Sequence, residues 1–393
     1  MINIVDKSKC CGCGACVQRC PKHCITMQED IEGFLYPVIE ESLCIKCGLC
    51  EKVCPFLTES YAKKPIKIFA AKNINEQQRL NSSSGGIFIL LAEETIKKGG
   101  VVFGACFNHN WEVEHCYAQT LEELVPLMRS KYLQSRIGNS YITVETFLKK
   151  GQQVLFAGTP CQIRGLHNYL SQNYENLLTI DFVCHGVPSP GIWRRYLEEI
   201  TTQKKCTVIS SITFREKQLN GYDWKNYGFV VRGQILNYSG KDEIILSKNH
   251  QDETFMNAFL HELISRPSCF KCPAKDGKSN SDITIGDFWG IEKAMPSFED
   301  KKGVGLLVLH TIKGENIVKD LLLETIKSNY ETVCLYNRSY CMAARISKER
   351  AIFWETYKKT NSVITSTTKA LHISAGKRLL IYINRLIRYI LNQ

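Results

Sequence analysis

Nineteen cysteines in 393 residues is heavy usage, while 44% hydrophobic and 23% charged residues are ordinary for a globular chain. The opening MINIVDKSKC has no apolar stretch before the first cysteines, and no run approaches 18 apolar residues, so neither a secreted disulfide scaffold nor a membrane span is expected; a reducing cytoplasm is. The net charge of +11 does not call for nucleic acid, because much of it sits beyond Thr356, where Lys358, Lys359, Lys369, Lys377, Arg378, Arg385 and Arg388 meet no acid.

The chain opens on a repeat. KCCGCGACVQRCP (Lys9–Pro21) and LCIKCGLCEKVCP (Leu43–Pro55) align without a gap. Both read C-x2-C-x2-C-x3-C-P, the spacing in which three close thiolates wrap one 4Fe–4S cluster and the fourth crosses to the other. The spacing assigns Cys10, Cys13, Cys16 and Cys54 to one cluster, and Cys44, Cys47, Cys50 and Cys20 to the second. Gly12, Gly14 and Gly48 suit tight backbone wrapping. Structural zinc is the competing reading, but it favours two C-x2-C knuckles across a longer loop. Cys11 aligns with Ile45 and is read as a non-ligand; Cys24 has no counterpart and is read as a small core residue. The stretch resembles bacterial dicluster ferredoxins over about residues 1–57.

A polar stretch ending in proline, TESYAKKP (Thr58–Pro65), reads as a linker. Beyond it, strand-like runs (IKIFAAK, VVFGACF, QVLFAG, LLTIDFV) alternate with helical ones (IFILLAEETIKKGG, YITVETFLKKG, IRGLHNYL, WRRYLEEI). This predicts an α/β domain on a largely parallel sheet. From Val208 to Leu246, VISSITFRE, GFVVRG and EIILS predict an antiparallel insert. The expected class is α+β and α/β: a dicluster ferredoxin domain over 1–60, a larger α/β domain over 61–345, and a tail over 346–393.

Ligands in open α/β sheets bind beyond the carboxyl ends of the strands. NSSSGG (Asn81–Gly86), GTPCQ (Gly158–Gln162) and CHGVPSP (Cys184–Pro190) follow three predicted parallel strands, which puts them on one edge and Cys161 near Cys184. The serine–glycine loop at a helix start suits a phosphate; a serine cap with flexible glycines is the other reading. SCFKCP (Ser268–Pro273) adds Cys269 and Cys272, and two plus two makes a four-thiolate set for a third 4Fe–4S cluster, with zinc as the alternative. Cys106, Cys116, Cys206, Cys334 and Cys341 lack ligand spacing and read as packing residues. Lone histidines such as His109 and His310 read as structural; His185 is kept because it adjoins Cys184.

The motifs SSSGGIF, RSKYLQS, GTPCQIRGL, DFVCHGVPSP, the C-x2-C turn and SDITIGDFWG occur in this order in beta subunits of coenzyme F420-reducing hydrogenases and dehydrogenases, and residues 66–335 resemble that family. The plant chlorophyll-cycle reductase that acts on a hydroxymethyl chlorophyll is similar in this domain. The resemblance implies bound FAD with a 4Fe–4S cluster beside it on Cys161, Cys184, Cys269 and Cys272. It implies a flavin lined by Ser83, Ser84, Gly85, Gly86, Lys131, Tyr132, Gln134, Ser135 and Thr159. The expected activity is that of an iron–sulfur flavoprotein oxidoreductase exchanging electrons among ferredoxin or another redox protein, its clusters, FAD and a small-molecule acceptor. Genuine F420 oxidoreduction and an electron-transfer subunit with no substrate of its own stand as alternatives. Catalytic residues, acceptor, direction of flow and oligomeric state are not readable from the sequence.

The chain closes on GKRLLIYINRLIRYILNQ (Gly376–Gln393), whose apolar residues recur at helical steps beside Lys377, Arg378, Arg385 and Arg388. This basic amphipathic pattern fits peripheral contact with an anionic membrane, or packing on the body.

Overall fold

The structure, a computed structural model, describes residues 1–236 and 242–371. The terminal helix expected over 376–393 lies outside the described residues. Among the described residues no helix is long and apolar enough to cross a membrane.

The N-terminal domain repeats itself in space as in sequence. Two four-residue helices, α1 (Ala15–Gln18) and α2 (Leu49–Lys52), flank a hairpin of β1 (Ile25–Glu29) and β2 (Leu35–Ile39). Each helix starts on a left-handed glycine, Gly14 at φ 71° and Gly48 at φ 74°. A side chain there would be strained, which accounts for glycine at the same point of both repeats.

The larger domain is built on an eight-stranded mixed sheet. Its members are β3 (Lys67–Asn73), β4 (Val101–Phe107), β5 (Val113–Ala118), β6 (Val154–Gly158), β7 (Leu177–Phe182), β11 (Ile283–Asp287), β12 (Gly305–Leu309) and β13 (Leu323–Lys327), in the order β13-β3-β12-β11-β7-β6-β4-β5. The chain leaves this sheet between β7 and β11 to make a separate antiparallel sheet of β8 (Cys206–Glu216), β9 (Gly228–Ile235) and β10 (Glu243–Asn249), the expected insert. β4, β6, β7 and β11 run parallel; β3 shares their direction because it is antiparallel to β12, itself antiparallel to β11. The loops after β3, β6 and β7 therefore share one edge, as the alternation requires. The antiparallel members β5, β12 and β13 make the sheet mixed.

Helices α3 (Glu76–Leu80), α4 (Ile87–Lys97), α5 (Ser140–Lys149), α6 (Pro160–Leu170), α7 (Pro190–Lys204) and α8 (Thr254–Leu260) complete the part that positions the site. α6 begins at Pro160, inside the GTPCQ loop, because Thr159 and Gln162 form a capping box there. The start of the predicted tail packs on the body: Phe353, Trp354, Val363 and Ala370, from helices Arg350–Thr360 and Val363–Ala370, join a core with Trp193, Phe255 and Phe259. The linker is tied down as well, with Thr58 accepting from Arg164 and Asn168, and Ser60 donating to the Lys278 carbonyl at 2.8 Å.

Four cysteines read as packing residues are paired. Cys106 is joined to Cys116 and Cys334 to Cys341. The β4–β5 register sets Gly104 opposite Cys116 and Cys106 opposite Glu114, so the first pair lies on a diagonal of one hairpin, Cα atoms 6.3 Å apart. No sequence spacing announces such a diagonal.

Candidate functional site

The first repeat's thiols face inward. Cys10, Cys13, Cys16 and Cys54 are buried and share a core cluster region with Tyr141, Ile163 and Leu166 of the larger domain, Cys10 packing with Phe34 and Tyr36 at its margin. Burial first, then the neighbouring Cys10 and Cys54, pushes Cys16 up to about 12. Cys54, from the second repeat, is raised by burial with Cys10 adding to it. The second group lies on the other side of the small domain, where Cys20, Cys44, Cys47 and Cys50 line one pocket together with Cys24. Cys24 is a buried core residue, as expected, and it also meets the second group: its Sγ lies 3.4 Å from that of Cys20.

The third group gathers thiols from three separate segments. Cys161 sits in the first turn of α6, Cys184 follows β7, and Cys269 and Cys272 belong to a 3-10 turn at Pro267–Lys271 and its cap. Burial raises Cys269 well above the usual thiol range, and Cys184, Cys272 and Cys161 each add to it. Burial likewise takes Cys184 to about 12 and Cys272 to about 11. Four thiols that oppose one another's ionisation, with Lys275, Arg164 and Arg266 around them, suit a metal group that binds them as thiolates. Among the described residues no group of three or more His, Cys, Asp or Glu is drawn close enough to hold a single metal ion, so the fit rests on the chemistry and placement of the thiols.

Cys11, set aside as a non-ligand, bridges the first and third groups. It is buried in one core cluster with Cys13, Cys161 packs against that cluster, and both thiols act on its own. The approach is possible because α6 carries glycine there: a Cβ on Gly165 would lie 3.0 Å from Cys13 Sγ and 2.9 Å from the Tyr141 hydroxyl. Gln18 of α1 fastens the same junction, its Oε1 accepting from the Tyr141 and Ile142 amides at 3.0 and 3.2 Å.

Two buried arginines that no motif singled out hold the junction from either side. Arg164 donates to the carbonyls of Pro273 and Thr58, and the thiols of Cys11, Cys272 and Cys54 lie around it. Arg266 donates to the carbonyl of Cys10 at 2.7 Å and to Gln134 Oε1 at 2.9 Å. Gln134, a residue expected at the flavin, has both ends of its amide engaged here, its Nε2 donating to the Cys11 carbonyl at 2.9 Å.

The remaining flavin candidates lie along the shared edge. Ser83 Oγ accepts from the amide of Ser130 at 2.8 Å and its hydroxyl at 3.0 Å, which ties the serine loop to the Lys131 segment. Ser84 donates to the Val304 carbonyl. Ser135 Oγ accepts from Gln162, and Thr159 caps α6 with its hydroxyl 3.3 Å from Cys161 Sγ. Gly85 and Gly86 have a packing reason. A Cβ on Gly85 would lie 2.4 Å from the Ala71 carbonyl and from the Gly305 amide nitrogen, and Gly86, at φ 76°, would meet Asn73 at 3.0 Å.

Two features of this edge fit an anionic, ring-bearing cofactor. Among the described residues the Lys131 ammonium donates to the Met128 and Arg129 carbonyls alone; burial, with Arg129 beside it, lowers it to about 7. His115 is buried and stacks on Phe156, its Nε2 is 3.1 Å from the Ala157 carbonyl, and its Nδ1 has no hydrogen-bond partner among the described residues. The end of β8 and the residues after it cover the loops: Arg215 donates to the Tyr132 hydroxyl and pairs with Asp287, Lys217 donates to the Arg79 and Lys302 carbonyls, and Gln218 reaches Asn81. His185 Nε2 approaches Glu262 Oε1 to 3.0 Å beside Cys184, but their alignment makes no hydrogen bond.

Comparison with known proteins accords with this arrangement. Residues 9–57 match the family model of the 4Fe–4S dicluster domain. Residues 151–331 match the family model for the C-terminal part of the coenzyme F420 hydrogenase/dehydrogenase beta subunit. Among solved structures, a chain of the F420-reducing NiFe hydrogenase complex from Methanosarcina barkeri is similar at 16% identity, over 77% of this chain and 97% of that one, with a TM-score of 0.44. No curated protein matches. A dicluster iron–sulfur domain joined to this α/β domain defines the class: an electron-transfer oxidoreductase or a subunit of one.

Proposed function

We propose that this chain is an iron–sulfur flavoprotein oxidoreductase that exchanges electrons between a ferredoxin-type donor and a small organic acceptor. Cys10, Cys13, Cys16 and Cys54 would hold one 4Fe–4S cluster, Cys20, Cys44, Cys47 and Cys50 a second, and Cys161, Cys184, Cys269 and Cys272 a third. FAD would lie along Ser83, Ser84, Lys131, Tyr132, Ser135 and Thr159. Clusters supply single electrons and a flavin pairs them for organic chemistry.

The observation that carries the reading is the packing of Cys161 against the core cluster that holds Cys11 and Cys13, which supports a path from the dicluster domain to the four-thiol edge. The residues around it orient rather than react: Thr159 and Gln162 fix the turn that bears Cys161, and Lys275 donates to the Cys184 carbonyl. Lys217 and Gln218 over the serine loop favour a small acceptor held beneath a polar roof above an open face for a catalytic partner. Coenzyme F420 is one acceptor such a roof would admit.

The test is anaerobic purification with iron, acid-labile sulfide, zinc and flavin analysis, followed by acceptor screening from reduced ferredoxin. About twelve irons and one FAD per chain are expected. Near eight irons with one zinc would overturn the third cluster, and absence of flavin would overturn the acceptor site.

A further inference from the structure

Arg266 is fully buried, yet none of its hydrogen-bond partners is a carboxylate among the described residues. Its Nε donates to the Cys10 carbonyl at 2.7 Å, Nη1 to Gln134 Oε1 at 2.9 Å and Nη2 to the Leu35 carbonyl at 2.8 Å. The guanidinium lies 4.3 Å from the ring centre of Tyr36 and 5.2 Å from that of Phe34. Every one of these partners is neutral. A buried charge that stays uncompensated is costly, so its counter-charge must come from elsewhere. The group within reach is a thiol, Cys10 Sγ, 3.7 Å from Nη2. Room for the contact is made by glycine: a Cβ on Gly12, whose φ is 69°, would lie 2.9 Å from Nη1 and 3.0 Å from Cζ. The backbone of the same arginine opens the turn that bears Cys269, whose amide donates to the Arg266 carbonyl at 2.9 Å.

We propose that Arg266 is a positioning residue that supplies the fixed counter-charge of the Cys10–Cys13–Cys16–Cys54 group, raises its reduction potential above that of the otherwise similar second group, and locks its loop to the third group's turn. The inference rests on the cluster reading given above. Each electron adds negative charge to a group of four thiolates, and a cation fixed beside it favours the reduced form; net charge and hydrogen bonds to sulfur are the recognised determinants of such potentials. The cations beside the second group are exposed ones, the Met1 ammonium, which pairs with Glu51 at 2.9 Å, and Lys22 and Lys46, and Cys47 is itself exposed, so water screens there a charge of the kind that Arg266 holds buried.

The experiment is a potentiometric titration of the anaerobically purified full chain, followed by electron paramagnetic resonance, for wild type, Arg266→Lys, Arg266→Gln and Gln134→Glu. Arg266→Gln should shift one N-terminal signal to lower potential, with the reduced-to-oxidised ratio at fixed potential falling about tenfold, or about 59 mV for one electron. Arg266→Lys should restore most of it. Gln134→Glu leaves the arginine in place and sets a carboxylate against Nη1, so it should shift the same signal the same way even if Arg266→Gln fails to fold. The other N-terminal signal should not move. Full iron content with unchanged potentials in Gln134→Glu, or equal shifts in both signals, would overturn the proposal. Wild-type protein without cluster iron would overturn the underlying reading instead.

Discussion

The two cysteine repeats have one ligand pattern and opposite surroundings. In the first, Cys10, Cys13, Cys16 and Cys20 are all buried, and helix α6 lies against Cys13 through Gly165. In the second, Cys44 is half-buried and Cys47 exposed, with Leu43 and Ile45 at 56% and 58% exposure beside them. Aligned positions diverge accordingly: Cys11 reaches inward to Cys161, while Ile45 points to solvent. Spacing sets what a repeat can ligate, and packing sets what that ligand set can pass electrons to. The first repeat is packed against the larger domain, and on the proposed function the second would be left for a partner.

That contrast is broken most severely by filling the junction. Gly165→Val would drive a branched side chain into Cys13 and Tyr141, and overpacking of this kind costs about 3 kcal/mol when the neighbours cannot yield. Gly48→Ala in the second repeat meets only Glu51 Oε2 at 3.9 Å, so its cost is the left-handed backbone alone, about 1 kcal/mol. Anaerobic denaturant unfolding of both variants checks the ordering; equal losses would mean that the first repeat is not clamped by α6. Next comes Cys161→Ser, which should remove about four of about twelve irons and leave both N-terminal resonance signals in place. Loss of all iron would mean that the third group and the dicluster domain do not load independently.

How far the sequence disclosed this arrangement follows from the range of each interaction. The dicluster ligands were legible because eight thiols lie within two short, self-aligned segments, and even the crossing of Cys20 and Cys54 is written in the spacing. The shared loop edge followed from the βα alternation, since parallel strands leave their carboxyl ends on one side. Arg164, Arg266 and His115 were not legible: an arginine or histidine acquires its role from segments a hundred or more residues away, and only the fold brings those together. Gly85 and Gly86 carry two reasons at once. A glycine pair at a helix start has the look of a phosphate cradle, and crowding from Ala71 and Gly305 at Gly85 and the left-handed φ at Gly86 demand glycine in any case. A loss of flavin in a Gly86 variant would therefore report strain as much as ligand contact. The antiparallel β12 and β13 were missed for different reasons: GLLVL of β12 is buried throughout inside the sheet and shows no alternation, and β13 is a short, exposed edge strand.

The edge proposed for the flavin offers a probe with a defined sign. Lys131 titrates near 7, so its ammonium is present below that pH and is lost as pH rises through it. If it faces an anionic cofactor, FAD affinity should fall as the pH is raised from 6 to 9, with the fall displaced upward where the bound anion holds the proton. Lys131→Met should bind FAD about tenfold more weakly at pH 6, about 1.4 kcal/mol, and approach wild type at pH 9. Lys217, also lowered to about 7 by burial, leaves a shallower slope in the variant. Fluorescence titration of the deflavinated protein measures both; a wild-type affinity that is flat in pH would remove Lys131 from the site. The same depression has a stability counterpart. Between about 7 and the ordinary lysine range the unfolded chain binds more protons than the folded one, so the deflavinated protein should gain stability as pH rises through that window.

The mildest change tests the outward face of the second repeat. Ile45 is exposed and touches no core cluster, so Ile45→Asn should leave stability within about 0.5 kcal/mol. Apolar side chains left exposed beside an exposed cysteine of the ligand set form a contact surface only if a partner covers them. The substitution should therefore slow reduction by ferredoxin severalfold while leaving reduction by a small dithionite-type donor unchanged, since a small donor needs no docking. Cys11→Ala at the aligned position should give the mirror image: reduction of the N-terminal signals by ferredoxin at the wild-type rate, with slower onward delivery to the acceptor because the thiol contact to Cys161 is gone. Stopped-flow measurement of the two steps separates these outcomes. If Ile45→Asn slowed both donors alike, or if Cys11→Ala slowed the first step rather than the second, the repeats would not divide the work between outside and inside.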